Sequence, residues 1–176
     1  REHLQGEIRI GHAHLDHVMG LPSFLVPLLF NRIKRMRVYG NTKTLLAVRE
    51  HIFAELIFPV LPSFEFIPFA GEVELPAEGK LTYHPLVHPG GSLGFRLDWP
   101  DRSLAYITDT TVDGSYTEFI RGVDLLVHEC NFSDAESEWA FKTGHSYTSQ
   151  VATLAKEAEV GRLYMTHLEP RDPRPD

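Results

Sequence analysis

The sequence predicts a layered α/β domain, and three observations support that prediction. Strand-like and helix-like segments alternate along the chain, with no repeat, low-complexity tract or long linker between them. Several hydrophobic strand-like segments end in histidine, aspartate or glutamate, at the loops where sites are built. With 176 residues, 43% hydrophobic and 23% charged, the chain has the make-up of a globular protein with a substantial core. A single domain over residues 1–176 is expected.

The elements read as follows. EIRI, 7–10, is a short buried strand running into a histidine-rich stretch. From His17 to about Phe30 the chain is apolar and could be helical, broken by Pro22 and Pro27. RMRVYG, 35–40, is strand-like and stops at Gly40. TKTLLAVREHIFAELI, 42–57, spaces its apolar residues at three and four, with Thr42 as a plausible N-cap. SFEFIPF, EVELP, KLTYHPLVH and LGFRLDWP follow as successive strands or hairpins. SLAYITDT (103–110) and VDLLVHEC (123–130) are compact hydrophobic strands. SYTSQVATLAKEAEV, 146–160, is the clearest helix, RLYMTH, 162–167, a final buried strand, and the tail EPRDPRPD is expected to be irregular.

Composition narrows the function. A formal net charge of −7 gives no overall basic field for a long nucleic acid, although metal ions can supply local positive charge to a nucleotide substrate. Cys130 is the single cysteine, which excludes an intrachain disulfide and a cysteine-rich zinc module and leans towards a reducing cytoplasm. The longest apolar run, LPSFLVPLLF, is too short and too proline-interrupted to span a bilayer, and the N-terminus carries no signal-peptide pattern.

HAHLDH, 12–17, is the densest chemical feature. In extended chain His12 and His14 project to one side, where two imidazoles can bind one metal ion. A turn into helix near Asp16 redirects Asp16 and His17 towards a second point, so the spacing suits two adjacent metals better than one. The competing reading is a solvated histidine-rich loop. Imidazole with carboxylate, and no thiolate on offer, suits zinc, iron or manganese. Further candidates are His88 before a Gly-rich turn, Asp109 after YIT and His167 after YMT, each of which could equally be a satisfied loop, capping or strand-end residue. His12, Asp109, His128, Glu129 and His167 all fall at or just beyond strand ends, which points to a common rim. His3, His51 and His84 lack such a context.

In order, HAHLDH, VHPGGSLGFRL, AYITDT, LLVHECNF, GHSYTSQ and LYMTHLEPR resemble the metallo-β-lactamase superfamily, and within it the branch of ribonuclease Z and its phosphodiesterase relatives. The likeness runs from His12 to Arg171. It implies an αββα sandwich with a dinuclear site along one edge. His12, His14 and His88 would hold one divalent ion, Asp16, His17 and His167 the other, and Asp109 would bridge them. Zinc is the first expectation, with Mn2+ or Fe2+ as alternatives, and Asp16 also counts among the catalytic residues. HECNF and GHS resemble paired motifs of the ribonuclease Z branch. On that resemblance His145 protonates the leaving oxygen or stabilises the phosphorane, and Glu129 orients it, with the two side chains in hydrogen-bond reach or bridged by one water. A carboxylate-held imidazole is also a sound acid–base group on physical grounds. The start of the 146–160 helix favours an anion beside His145, the alternative being that His145 and Ser146 only cap that helix. His128 is either a supporting donor or a buried structural residue.

Two departures shape the functional expectation. Ribonuclease Z proper inserts a long arm that grips transfer RNA between the positions matching His88 and Asp109, and only twenty residues lie between them here. Family members also carry several strands before the first histidine motif, which eleven residues cannot supply, so part of one sheet is expected to be absent. The reading is a metal-dependent phosphodiesterase acting on a cyclic or small nucleotide-like phosphodiester. The alternatives are a hydrolase of another ester (lactone or thioester), a transfer-RNA 3′-processing endoribonuclease, or a non-catalytic relative that binds a nucleotide or partner. A cytoplasmic protein without membrane or long nucleic-acid partners is expected, and a homodimer is allowed.

Overall fold

A computed structural model describes residues 4–169, so His3 and all of the expected irregular tail after Glu169 lie outside the described residues. The chain divides into two compact units, Arg1–Ala70 and Gly71–Asp176. Both are mixed α/β, the fold class expected from the alternating segments.

The first unit holds a three-stranded parallel sheet of order β1-β2-β3, with β1 Leu4–Arg9, β2 Ile33–Gly40 and β3 Phe64–Pro68. Period-two alternation explains β2: Met36 and Val38 point into the core, while Arg35, Arg37 and Tyr39 face outward. The outward face is tied by ion pairs from Arg37 to Glu7 (3.2 Å) and from Arg35 to Glu65 (2.5 Å). Between β1 and β2 lie α1 (Leu15–Val18), a 3-10 turn (Leu21–Phe24) and α2 (Leu25–Leu29). Pro22 sits at the start of the 3-10 turn and Pro27 in the first turn of α2, where a missing N–H costs little. The segment is thus helical and broken, as its prolines suggest.

The helix expected at 42–57 is shorter. α3 runs from Thr42 to Ala47, widens to a π-turn at Val48–Ile52 and stops. Its N-cap is Asn41, whose side-chain oxygen accepts from Thr44 N at 2.7 Å, one residue before the cap expected at Thr42. The apolar spacing continues to Ile57, but Leu56 and Ile57 are exposed, so periodicity there reflects no buried face. Ile10, Val18, Leu21, Met36, Val38, Leu45 and Val48 belong to this unit's core.

The second unit is built on a six-stranded sheet of order β4-β5-β6-β7-β8-β9. β4 (Val73–Leu75), β5 (Gly79–Leu86), β6 (Ser92–Trp99) and β7 (Arg102–Ile107) form an antiparallel meander. β7, β8 (Leu125–Glu129) and β9 (Leu163–Thr166) are parallel neighbours. The crossovers carry α4 (Thr117–Ile120), then α5 (Ser137–Thr143) and α6 (Thr148–Glu157). Val151, Leu154, Ala155 and Ala158 bury one face of the α6 segment, and Leu154, Ala155 and Ala158 join the core with Ala105, Ile107, Ile120 and Leu126. Because β5, β7, β8 and β9 run in the same direction, the residues that follow them emerge along one edge of this sheet. Among the described residues no helix is long and apolar enough to cross a membrane.

Candidate functional site

The first unit holds HAHLDH. The chain leaves β1, His14 is extended (φ −64, ψ 148), and α1 begins at Leu15. This is the turn into helix expected near Asp16. It folds the cluster back on itself: the His12 ring lies 4.5 Å from that of His14 and 4.2 Å from that of His17. Asp16 Oδ2 is 3.2 Å from His17 Nε2. His12 is buried, whereas Asp16 is largely exposed. The arrangement is a compact set of donors, not a splayed loop.

In the second unit, His88 follows β5, Asp109 follows β7, Glu129 ends β8 and His167 follows β9. Of the five residues expected at a common rim, Asp109, Glu129 and His167 thus lie at strand ends of this unit, whereas His12 belongs to the first unit. Asp109 is buried, and its Oδ2 lies 3.8 Å from His88 Nε2 and 3.6 Å from His167 Nε2. These separations exceed a hydrogen bond. They lie a few tenths of an ångström beyond the roughly 3.3–3.4 Å that tetrahedral bonds of about 2.0–2.1 Å put between ligand atoms, within easy adjustment of sharing a cation. The donor chemistry, imidazole nitrogens around carboxylate oxygen, suits a divalent ion.

Each imidazole is held from behind. His88 Nδ1 donates to the carbonyl of Gly144 at 2.8 Å, which leaves Nε2 to face Asp109. Gly144 ends α5 in the left-handed region (φ 79), and a β-carbon there would strike Pro89 and sit 3.2 Å from His88 Nδ1. Glycine is thus required twice, by the turn and by the close approach. Asn131 Nδ2 lies 2.9 Å from His167 Nδ1 and donates to the His167 carbonyl at 3.1 Å. His167 itself has φ 56, a left-handed conformation that costs a β-carbon-bearing residue on the order of 1–2 kcal/mol. Sequence reasoning missed Asn131 and Gly144 as supports. The αL cap signal of a glycine after a helix could have found the second.

His145 Nδ1 donates to Glu129 Oε1 at 3.1 Å, so the expected hydrogen-bond reach holds without a bridging water. Glu129 is buried and also accepts from the backbone N–H groups of Thr110 (2.9 Å), Ser146 (3.1 Å) and Asn131 (3.1 Å). Three amides and an imidazole therefore fix this carboxylate and clamp three rim loops together. The His145 ring is 5.0 Å from that of His88 and 5.3 Å from that of His167, the latter pair stacked. The helix does not start where the sequence suggested. α6 begins at Thr148 with Tyr147 as N-cap, and Asp134 Oδ1 already accepts from Ser149 N at 2.8 Å. His145 and Ser146 are therefore not its caps, and the helix end gives no special pull on an anion at His145.

His128, next to Glu129 on β8, turns the other way. It is fully buried, donates from Nδ1 to the Glu129 carbonyl at 2.6 Å and accepts at Nε2 from the Tyr116 hydroxyl at 2.8 Å. Burial lowers its pKa, outweighing the opposing pull of Glu129, and keeps the ring neutral. His128 is a structural residue. His84 packs its ring 5.3 Å from Phe119, and His51 is exposed. Cys130 is buried, its thiol 3.8 Å from the Phe132 carbonyl.

Comparison with known proteins agrees with this architecture. The family described as a beta-lactamase superfamily domain matches residues 8–168. Ribonuclease BN of Erwinia tasmaniensis is 29% identical over 220 aligned residues, covering 94% of this chain and 71% of its own length. Among solved structures, the metallo-β-lactamase fold protein YhfI from Bacillus subtilis gives a TM-score of 0.77 at 20% identity, over 95% of this chain and 66% of its own. A diphosphatase of the PhnP family gives 0.71 at 25% identity, over 93% of this chain and 60% of its own. The chain thus spans about two thirds of the length of these proteins. The mixed α/β sheets, the imidazole–carboxylate donor sets and the match over residues 8–168 place the chain in the β-lactamase superfamily of metallo-hydrolases, with the metallo-β-lactamase fold.

Proposed function

We propose that this chain is a metal-dependent phosphodiesterase acting on a cyclic or small, nucleotide-like phosphodiester. The observation that carries the reading is the Glu129–His145 pair, hydrogen-bonded at 3.1 Å and in ring contact with His88 and His167. An acid–base group so close to candidate ligands suits a reaction whose leaving oxygen needs a proton. Acyl transfer does not require it.

As the family resemblance implies, His12, His14, Asp16, His17, His88, Asp109 and His167 would hold two divalent ions, zinc before manganese or iron. When bound, such ions lower the pKa of water towards ~7 and offset charge on the phosphoryl oxygens. The remaining work belongs to the chain. Glu129 accepts the Nδ1–H of His145, which fixes the ring's orientation and leaves Nε2 as the nitrogen that can exchange a proton with the substrate. As the bond from phosphorus to the leaving oxygen breaks, His145 Nε2 gives its proton to that oxygen and the ring returns to neutral, still bonded to Glu129. Asp16 Oδ2 lies 3.2 Å from His17 Nε2, and this carboxylate would be the acceptor for the attacking water's proton.

Similarity to a ribonuclease raises RNA processing as the second reading. Two features favour a small substrate. His88 and Asp109 are joined only by the tight hairpin strands β6 and β7, and the net charge is −7. The 220 aligned positions also exceed this chain's 176 residues by 44, so ribonuclease BN carries at least that many without a counterpart here. Metal-replete protein should hydrolyse bis(p-nitrophenyl) phosphate and lose turnover with a chelator. Good lactonase activity without diesterase activity would overturn the proposal.

A further inference from the structure

Beside His145 the second unit opens a cleft of about 410 Å³, within the ~300–1,000 Å³ usual for small-molecule sites. α5 and the start of α6 form its walls, with Phe141, Tyr147, Lys142, Glu138 and Gln150 among the lining residues. Phe141 leaves 77% of its surface exposed, so its ring face is open to a ligand in the cleft. Lys142 and Glu138 lie 3.8 Å apart, so their charges offset one another and the cleft offers no net cation for a second phosphate. The Gln150 amide is fixed by donating to the Val112 carbonyl at 3.2 Å and gives the cleft a polar edge. An aromatic face, a second aromatic wall and polar edges with little net charge are the requirements of a flat heteroaromatic group.

We infer that this cleft is a subsite for the nucleobase of the substrate, stacked on Phe141, and that it receives the arm leaving through His145. The inference rests on the phosphodiesterase reading for the identity of the neighbouring phosphate. Position supports it: His145 lines the cleft and is also the proton donor to the leaving oxygen, so that oxygen's substituent must lie on the cleft side. α5 therefore sets substrate preference while the rim does chemistry.

Calorimetric titration of the metal-replete full chain with adenosine 5′-monophosphate and with ribose 5-phosphate isolates the base, since both ligands present the same phosphate. The nucleotide should bind about 5- to 150-fold more tightly, the range for one stacked base. Phe141→Ala should shrink that preference to about 2-fold or less with the metal content unchanged, and Phe141→Trp should restore it. Equal binding of the two ligands, no binding of either, or a preference that survives Phe141→Ala would overturn the subsite. Diesterase assays on the unsubstituted protein separate the two claims. Turnover of bis(p-nitrophenyl) phosphate without base preference removes only the subsite. A Phe141-dependent base preference without diesterase activity removes only the reaction.

Discussion

The two units present their reactive residues in opposite ways. In the first, four donors come from six consecutive residues and are gathered by a single turn into α1. In the second, His88, Asp109, Glu129, His145 and His167 come from five separate segments, four gathered by the direction of strands and His145 by the turn between α5 and α6. Each second-unit imidazole is braced by a distant partner: His88 by Gly144, His167 by Asn131, His145 by Glu129. A contiguous cluster depends on local backbone, and an assembled one depends on the whole sheet and its loops. The second unit should therefore be the more sensitive to changes at positions that carry no chemistry.

The largest effect should come from the assembled set's shared carboxylate. Asp109→Ala removes the oxygen that faces both His88 and His167, and metal content should fall from about two equivalents to below one. His14→Ala, in the contiguous set, should cost about one equivalent. Elemental analysis of the purified variants checks both, and an Asp109→Ala protein that keeps two equivalents would erase the contrast.

Supports behind the ligands should come next. Gly144→Ala places a β-carbon against Pro89 and His88 in a backbone conformation that glycine alone takes easily. Asn131→Ala releases the His167 ring and carbonyl. Each should weaken metal binding about 10–100-fold in a competition with a fluorescent chelator. Full affinity in both would show that the rim does not need its bracing.

How legible this was follows the same division. Strands were readable because alternation at Met36 and Val38 marks a buried face, and the short apolar run Leu125–Val127 marks a buried strand. HAHLDH was readable because period-two spacing followed by a turn into helix gathers its donors, and α1 supplies that turn. Asn131 and Gly144 escaped notice because they act through an amide and a carbonyl that many residues could offer. α5 was also overlooked: its exposed Trp139 and Phe141 give no buried stripe to detect. The end of α3 was misplaced for the converse reason, an apolar period at Leu56 and Ile57 that packs against nothing buried.

A smaller effect belongs to the far face of β8. Tyr116→Phe leaves the buried Nε2 of His128 without its donor and should cost about 1–3 kcal/mol by urea unfolding. The pH dependence has a definite sign. The folded pKa of His128 is depressed, so below about 6.5 the unfolded chain binds the proton first. Its stabilising contribution is complete above that pH and is lost as pH falls towards the folded pKa. A melting temperature that rose on acidification below pH 6.5 would contradict a neutral buried imidazole.

Acid catalysis by His145 is most directly tested by pairing one substitution with two leaving groups. His145→Ala should keep its metal content and lose about 10²–10⁴-fold in turnover of a diester with an alkyl or ribosyl leaving group. The loss should be much smaller with p-nitrophenolate, which needs little protonation, and Glu129→Gln should follow the same trend more weakly. An equal loss for both leaving groups would make His145 a phosphate ligand instead, and a fully active variant would remove it from the chemistry altogether.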